Sequence, residues 1–289
     1  MVSRAQPQEV QPVNEKDLAY ELFQKKNYEK ALETIKPLVD RNDADEQVYQ
    51  IAGYIYKALD QPNEAEKLYK RGIKKFSPAG MMYNEYGAFK LAKGDNEGAI
   101  KLWEKGIETD PSFTGNYYSA CKFYLPTEDI MWSLIYGEMF LNLESQSNRS
   151  PEIKVILLEN YKKFFEQDIT KNIKDKNGFE QSFLDAINKE ADLATAGINP
   201  ETLTMIRSRF ILNWFQRFGS KYPFKLFEYH RQLLKDGLFE AYNQWLFGAP
   251  FNLVSYQNWT SLHNKEYTDL YNLQKGATFK VSSKQYYHK

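Results

Sequence analysis

The sequence predicts an all-α protein, a solenoid of about four helix-turn-helix repeats closed by a helical C-terminal capping domain. Three observations carry this expectation. Between Glu46 and Phe113 the chain writes one pattern twice, 34 residues apart: Tyr49 and Tyr83, Gly53 and Gly87, Ala65 and Ala99, Gly72 and Gly106, and Ile73 and Ile107 are equivalent. A period near 34 belongs to stacked helical hairpins. Turn residues recur at the same interval, as Asn27-Tyr28, Gln61-Pro62-Asn63 and Gly94-Asp95-Asn96, and such residues stop one helix and cap the next. Beyond Ser150 the period is lost, but apolar residues keep helical spacing. The expected organisation is a disordered arm over 1–11, repeats over 12–148, a helical domain over 149–273 and a tail over 274–289.

The first repeat runs from about Pro12 to Asp45, with Ala19 and Ala31 in the places of Gly53 and Ala65, and Leu18, Leu22, Ile35 and Leu38 on one face. A degenerate fourth repeat follows the third. Cys121 and Ser133 take its small-residue places, Tyr117 and Tyr124 supply its aromatics, and Pro126 closes its first helix. Thr127-Glu128-Asp129 then opens the second helix with a cap and two acids at the positive end of the helix dipole. Small residues suit the closest crossing of two helices, and neighbouring aromatics fill the space around it. Cys121 in such a place reads as a small buried hydrophobe rather than a reactive thiol. The run from Ile130 to Leu143, with Met131, Trp132, Leu134, Ile135, Tyr136, Met139 and Phe140, is apolar on most sides. It should be covered on most sides, as the junction for the C-terminal half.

In that half, Ser150-Pro151-Glu152 opens a helix with Ile153, Leu157, Tyr161 and Phe164 on one face. A polar loop from Lys171 to Gly178 precedes a helix carrying Phe179, Phe183, Ala186 and Ile187, which is expected to end near Gly197. Its acids Glu180, Asp185, Glu190 and Asp192 read as a solvated face. Asn199-Pro200-Glu201 starts a strong helix with Leu203, Ile206, Phe210, Trp214 and Phe218. Pro223 opens another, with Leu226, Phe227, His230, Leu233 and Leu234 inward and Gly237 as its stop. Segments Leu238–Phe247, Leu253–Leu262 and Lys265–Leu273 follow. Fifteen aromatic residues fall between Glu201 and Thr260. They make either a packed aromatic core or an exposed platform for a sugar or peptide.

Gly53, Tyr56, Ala65 and Tyr69 in one copy, and Gly87, Ala99, Trp103 and Pro111 in the next, stand where the tetratricopeptide repeat family has its signature residues, and the chain resembles that family. The array with its helical tail is similar in style to exported proteins of Bacteroidetes-type bacteria. The resemblance implies a concave groove lined by the first helices, at repeat positions 2, 5, 6, 9, 12 and 13. Here these positions hold Lys16, Asp17, Tyr20, Phe23 and Gln24, then Gln47, Gln50, Ile51, Tyr54 and Lys57, then Met81, Asn84, Glu85 and Leu91, then Tyr118 and Lys122. Family members that clamp a chaperone's C-terminal carboxylate carry Lys, Asn and Arg at five places, of which this chain keeps Lys16 but has Tyr20, Ile51, Met81 and Glu85 at the others, which argues against that partner. The Tyr, Gln and Asn mixture suits an uncharged extended peptide or a glycan. Tyr20 and Tyr54 share position 9, so they are expected to form a ladder of stacking faces with Gln50 and Asn84 beside it.

Lys+Arg and Asp+Glu both total 38, so no net field gathers nucleic acid or an anionic membrane. No run reaches the roughly 18 apolar residues of a membrane span. One cysteine excludes an intrachain disulfide framework. Ser3-Arg4-Ala5 ahead of a polar, Pro-bearing run resembles the surroundings of a removed leader, which makes an exported (periplasmic or secreted) chain the expectation and a cytoplasmic one the alternative. His230, His263 and His288 have no metal-ligand partner at helical spacing, and no nucleophile elbow, phosphate loop or dinucleotide fingerprint occurs. Arg207 and Arg209 beside Trp214 either grip an anion or cover an aromatic core with their stems. The expected function is a non-catalytic protein-binding scaffold without cofactor or metal. The alternative is a carbohydrate-binding protein or hydrolase with its site in the aromatic C-terminal half.

Overall fold

The computed structural model describes residues 14–127, 129–166, 178–276, 279–285 and 287. The expected arm over 1–11, Glu128, residues 171–177 of the polar loop and His288 lie outside the described residues, as do parts of the expected tail. Among the described residues there are sixteen α-helices and no strand. Four antiparallel pairs come first: α1 (Glu15–Gln24) with α2 (Tyr28–Val39), α3 (Glu46–Ala58) with α4 (Pro62–Lys75), α5 (Gly80–Ala92) with α6 (Asn96–Thr109), and α7 (Thr114–Tyr124) with α8 (Ile130–Leu143).

The repeat is visible in the backbone itself. Lys26, Asp60 and Gly94, spaced by one period, are all left-handed, with φ of 60°, 52° and 78°. The next amide in each case, that of Asn27, Gln61 or Asp95, bonds back to the carbonyl of Leu22, Tyr56 or Lys90 at 2.9, 2.9 and 3.0 Å. This is the same helix stop three times over, and only the third copy uses the glycine that the conformation favours. The fourth repeat departs from it. Pro126 ends α7 early, and the second helix takes its N-cap at Asp129 rather than Thr127, whose hydroxyl accepts from the Asp129 amide at 3.1 Å.

The small residues stand where the helices of a pair cross. Ala31, Ala65, Ala99 and Cys121 are fully buried. Tyr69 lies over Gly53, where an added Cβ would stand 2.8 Å from two ring carbons, and Trp103 lies as tightly over Gly87. Ser133, the counterpart of Ala99, is also buried; its hydroxyl donates to the Cys121 carbonyl at 2.8 Å and accepts from Asn160 at 2.7 Å. Burial pushes the Cys121 thiol up to about 12, which keeps it protonated and inert.

α8 is covered on nearly every side, from Ile130 to Leu141. One continuous apolar cluster runs from Ala99 in α6 through α8 to the C-terminal helices. These are α9 (Ser150–Glu166), α10 (Gly178–Asn188), the single turn α11 (Ala191–Ala194), α12 (Pro200–Arg217), α13 (Lys225–Lys235), α14 (Phe239–Phe251), α15 (Leu253–Leu262) and α16 (Asn264–Lys275). Several boundaries differ from expectation. The helix expected to end near Gly197 breaks after Asn188, and Glu190, read as solvated, is buried. Glu180 is buried too and accepts from the Trp132 indole at 2.5 Å, because α10 turns that side toward α8. α13 begins at Lys225, two residues after Pro223. α14 runs through Gly248 to Phe251, since Pro250 near its end forfeits little of the helical bonding.

The aromatic residues of this half build a core: Phe179, Phe210, Trp214, Phe227, Tyr242 and Phe247 are buried. Inside it lies a charged centre that sequence spacing did not suggest. Glu138 of α8, Arg207 of α12 and His230 of α13 are each 3% exposed. The Arg207 guanidinium pairs with the Glu138 carboxylate and the Asn243 amide oxygen. Glu138 also accepts from Tyr242 at 2.9 Å and contacts His230 Nε2 at 2.8 Å. Arg207 therefore neither grips a solvent anion nor merely covers the core; it is the core's cation. Arg209 points outward, 3.8 Å from Glu190. Burial by itself would raise the Glu138 carboxyl, but Arg207 and His230 outweigh it and hold it down to about 2. Burial lowers the His230 imidazole, with Glu138 opposing.

Three outcomes are expected. Gly53→Leu and Gly87→Leu push a side chain into the ring above and each lower stability by at least about 1–3 kcal/mol, read as a fall in melting temperature; unchanged midpoints would refute the packing. Glu138→Gln leaves Arg207 buried without a carboxylate and lowers stability by about 3–5 kcal/mol in urea titrations. In the wild type, His230 is held neutral at a pH where the unfolded chain gains a proton. Its contribution is thus full above about pH 6.5 and falls as the pH drops. The melting temperature should decline between about pH 7 and 5, and His230→Asn should flatten that decline.

Candidate functional site

The first helices α1, α3, α5 and α7 pack successively against one another, and their polar residues bond one repeat onward. Lys16 donates to Gln47 and pairs with Asp45, both at 2.8 Å. Gln50 Nε2 and the Tyr54 hydroxyl both donate to the Glu85 carboxylate, at 2.7 and 2.8 Å, and Lys57 lies 3.8 Å from it. Asn84 donates to Ser119 Oγ at 2.9 Å. Tyr118 and Lys122 donate to Glu152 at 2.5 and 2.7 Å. Glu152 belongs to α9, yet lies 34 residues beyond Tyr118. In this contact α9 stands in for a fifth first helix, although the repeat signature had faded.

These bonds set the electrostatics of the floor. Burial chiefly, with Glu85, raises the Tyr54 phenol, and burial lowers the Lys57 ammonium while Glu85 opposes it. The bonds from Lys122 and Tyr118 hold the Glu152 carboxyl below its ordinary value. Lys122 and Arg149 lie against the Tyr118 ring, 5.0 and 4.8 Å from its centroid.

The expected stacking ladder takes a different form. Phe23 sits between the two tyrosines, 6.3 Å from the Tyr20 centroid and 6.0 Å from that of Tyr54. Tyr20 is 45% exposed, whereas the Tyr54 hydroxyl is engaged with Glu85. Tyr54, Gln50 and Asn84 thus tie neighbouring repeats together, because each meets an acceptor on the next first helix.

Open space lies further along. A cleft of about 670 Å³ separates the third repeat from the fourth, lined on one side by Ala88, Leu91 and Ala92 and on the other by Tyr118, Ser119, Lys122, Phe123 and Pro126. Its origin is a single register position. Position 9 holds Tyr20 and Tyr54 in the first two repeats and Ala88 in the third, so a ring is missing where the fold places one twice before. The shortened α7 opens the far end at Pro126. Leu91, 43% exposed, forms part of an apolar wall. Of the residues expected in the groove, Tyr118, Lys122 and Leu91 line this cleft; Lys16, Tyr20, Gln47, Gln50, Tyr54, Lys57, Asn84 and Glu85 do not. Ala88, Ala92 and Phe123 were missed, and the signal that would have found them is the break in the position-9 tyrosines.

Residues 46–74, which form α3 and nearly all of α4, match the family model of the tetratricopeptide repeat. This hairpin is a tetratricopeptide repeat. A comparison with curated proteins returns no match for the chain. The cleft therefore lies one repeat beyond the tetratricopeptide hairpin in the same all-α stack, and the tetratricopeptide repeat points to protein partners. Among the described residues no helix is long and apolar enough to cross a membrane.

Proposed function

We propose that the chain is a non-catalytic scaffold that docks a partner protein in the concave cleft between its third and fourth repeats. The observation that carries this reading is Ala88. A Tyr-to-Ala change at position 9 leaves a cleft of about 670 Å³, within the roughly 300–1,000 Å³ usual for binding clefts, while the polar floor on either side is already bonded to itself. The walls are mostly apolar and half-exposed, so the partner contributes a bulky apolar side chain from an extended segment. Main-chain groups of that segment can compete for Lys122 and Glu152 at the rim. A hydrolytic site in the C-terminal half has less support: its clustered ionisable groups, Glu138, Arg207 and His230, are each 3% exposed and bonded to one another.

Panning a random displayed-peptide library on the immobilised chain tests the proposal. Selected peptides are expected to share a bulky apolar residue. Ala88→Tyr, a change at an exposed position that restores the ring of the first two repeats, should weaken them at least about tenfold without lowering the melting temperature. Peptides that bind wild type and Ala88→Tyr equally would place the docking surface elsewhere.

A further inference from the structure

A second cavity, of about 140 Å³, lies at the far end of the C-terminal half, between the loop after α8, helix α14 and one face of α16. Gln146 lines it from the loop and Trp245 from α14; Tyr267, Leu270, Tyr271 and Gln274 line it from α16. The four α16 residues follow the i, i+3, i+4, i+7 spacing of a single helix face, so aromatic and amide groups converge by construction. No Asp, Glu, Lys or Arg is among the lining residues. We infer that this cavity is a subsite for one neutral sugar ring, an inference that goes beyond the groove reading and does not depend on it.

Four features support that ligand class. First, Tyr271 keeps 42% of its surface exposed, with the Lys275 ammonium no nearer than 5.9 Å to its centroid, and such an accessible ring suits the apolar C–H face of a pyranose. Trp245 acts as a wall, since the Lys154 ammonium already lies 4.1 Å from its centroid. Second, Gln274 Nε2 is buried and has no hydrogen-bond partner among the described residues, although buried donors are normally paired. A hydroxyl oxygen entering the cavity would satisfy it. Third, an amide presents donor and acceptor together, so Gln146 and Gln274 can each serve a hydroxyl, which is itself donor and acceptor. The Tyr267 hydroxyl is already bonded to that of Tyr256 at 2.7 Å, which holds its ring in place. Fourth, the nearby ammonium groups of Lys154 and Lys275 lie against the Trp245 and Tyr271 rings and outside the lining itself, so a charged ligand would lose its water without gaining an opposite charge from the lining. The volume admits one ring and not an extended peptide, so the ligand is a single sugar or one residue of a glycan.

Saturation-transfer NMR on the full chain tests this with three probes: methyl β-D-glucopyranoside, methyl β-D-galactopyranoside and N-acetyl-D-glucosamine. At least one should receive saturation on its ring protons with a saturable dependence on concentration. Tyr271→Ala and Gln274→Ala should each weaken that binding about tenfold with the melting temperature kept, whereas Ala88→Tyr should leave it unchanged, which separates this site from the groove. Absence of transfer to all three probes, or transfer that survives both Tyr271→Ala and Gln274→Ala, would overturn the inference. So would loss of transfer in Ala88→Tyr alone.

Discussion

The second and third hairpins of this solenoid are each set by an aromatic ring laid across a residue without a side chain. Tyr69 covers Gly53 and Trp103 covers Gly87 at distances that leave no room for a Cβ, and this closeness decides how near the two helices of a pair can come. The Trp103 indole then donates to the Asn84 carbonyl of its own hairpin at 3.1 Å. With the hairpins at one spacing, the first helices of successive repeats fall within reach of short polar side chains. Gln50 finds Glu85 and Asn84 finds Ser119 through bonds that each span 35 residues. The ladder along the first helices is therefore a consequence of packing on the other side of the same helices.

That ladder also explains why the cleft is where it is. In the first two repeats the position-9 tyrosines cover the surface beside them, and Tyr54 closes on Glu85. Ala88 has nothing to extend across the gap, and Pro126 removes the last turn that α7 would need to fill it from the other side. An array whose Gln50, Tyr54 and Asn84 side chains are bonded from repeat to repeat thus exposes an apolar wall at one step.

The C-terminal half is joined to the array by the opposite device. α8 supplies an apolar surface on nearly all sides and, within it, one carboxylate. A buried carboxylate is tolerable only when cations and donors reach it from the elements packed around it, and Arg207, His230 and Tyr242 come from α12, α13 and α14. Three helices are thereby held to one atom cluster of the fourth repeat. The aromatic rings around that cluster lie close to the guanidinium, with Phe247 and Phe239 5.3 and 5.4 Å from it.

What the sequence determined by itself is the local periodic part. A glycine at a close crossing, an alanine opposite it and a turn residue at a fixed interval each act within one hairpin, so Gly53, Gly87, Ala65, Ala99 and the three turns were legible, as were the Asn199 cap and the inward face of α9. The tertiary structure decided everything that depends on two distant segments meeting. Glu180 and Glu190 alternate with apolar residues like a solvated face, and only the packing around α10 buries them. Arg207, His230 and Glu138 lie 69 and 92 residues apart in their contacts, beyond any helical spacing, so nothing local marks them as partners. Tyr20 and Tyr54 carry the right chemistry for a platform, but a side chain's availability depends on its neighbour. For Tyr54 that neighbour is Glu85, and for the cleft it is the missing ring at Ala88.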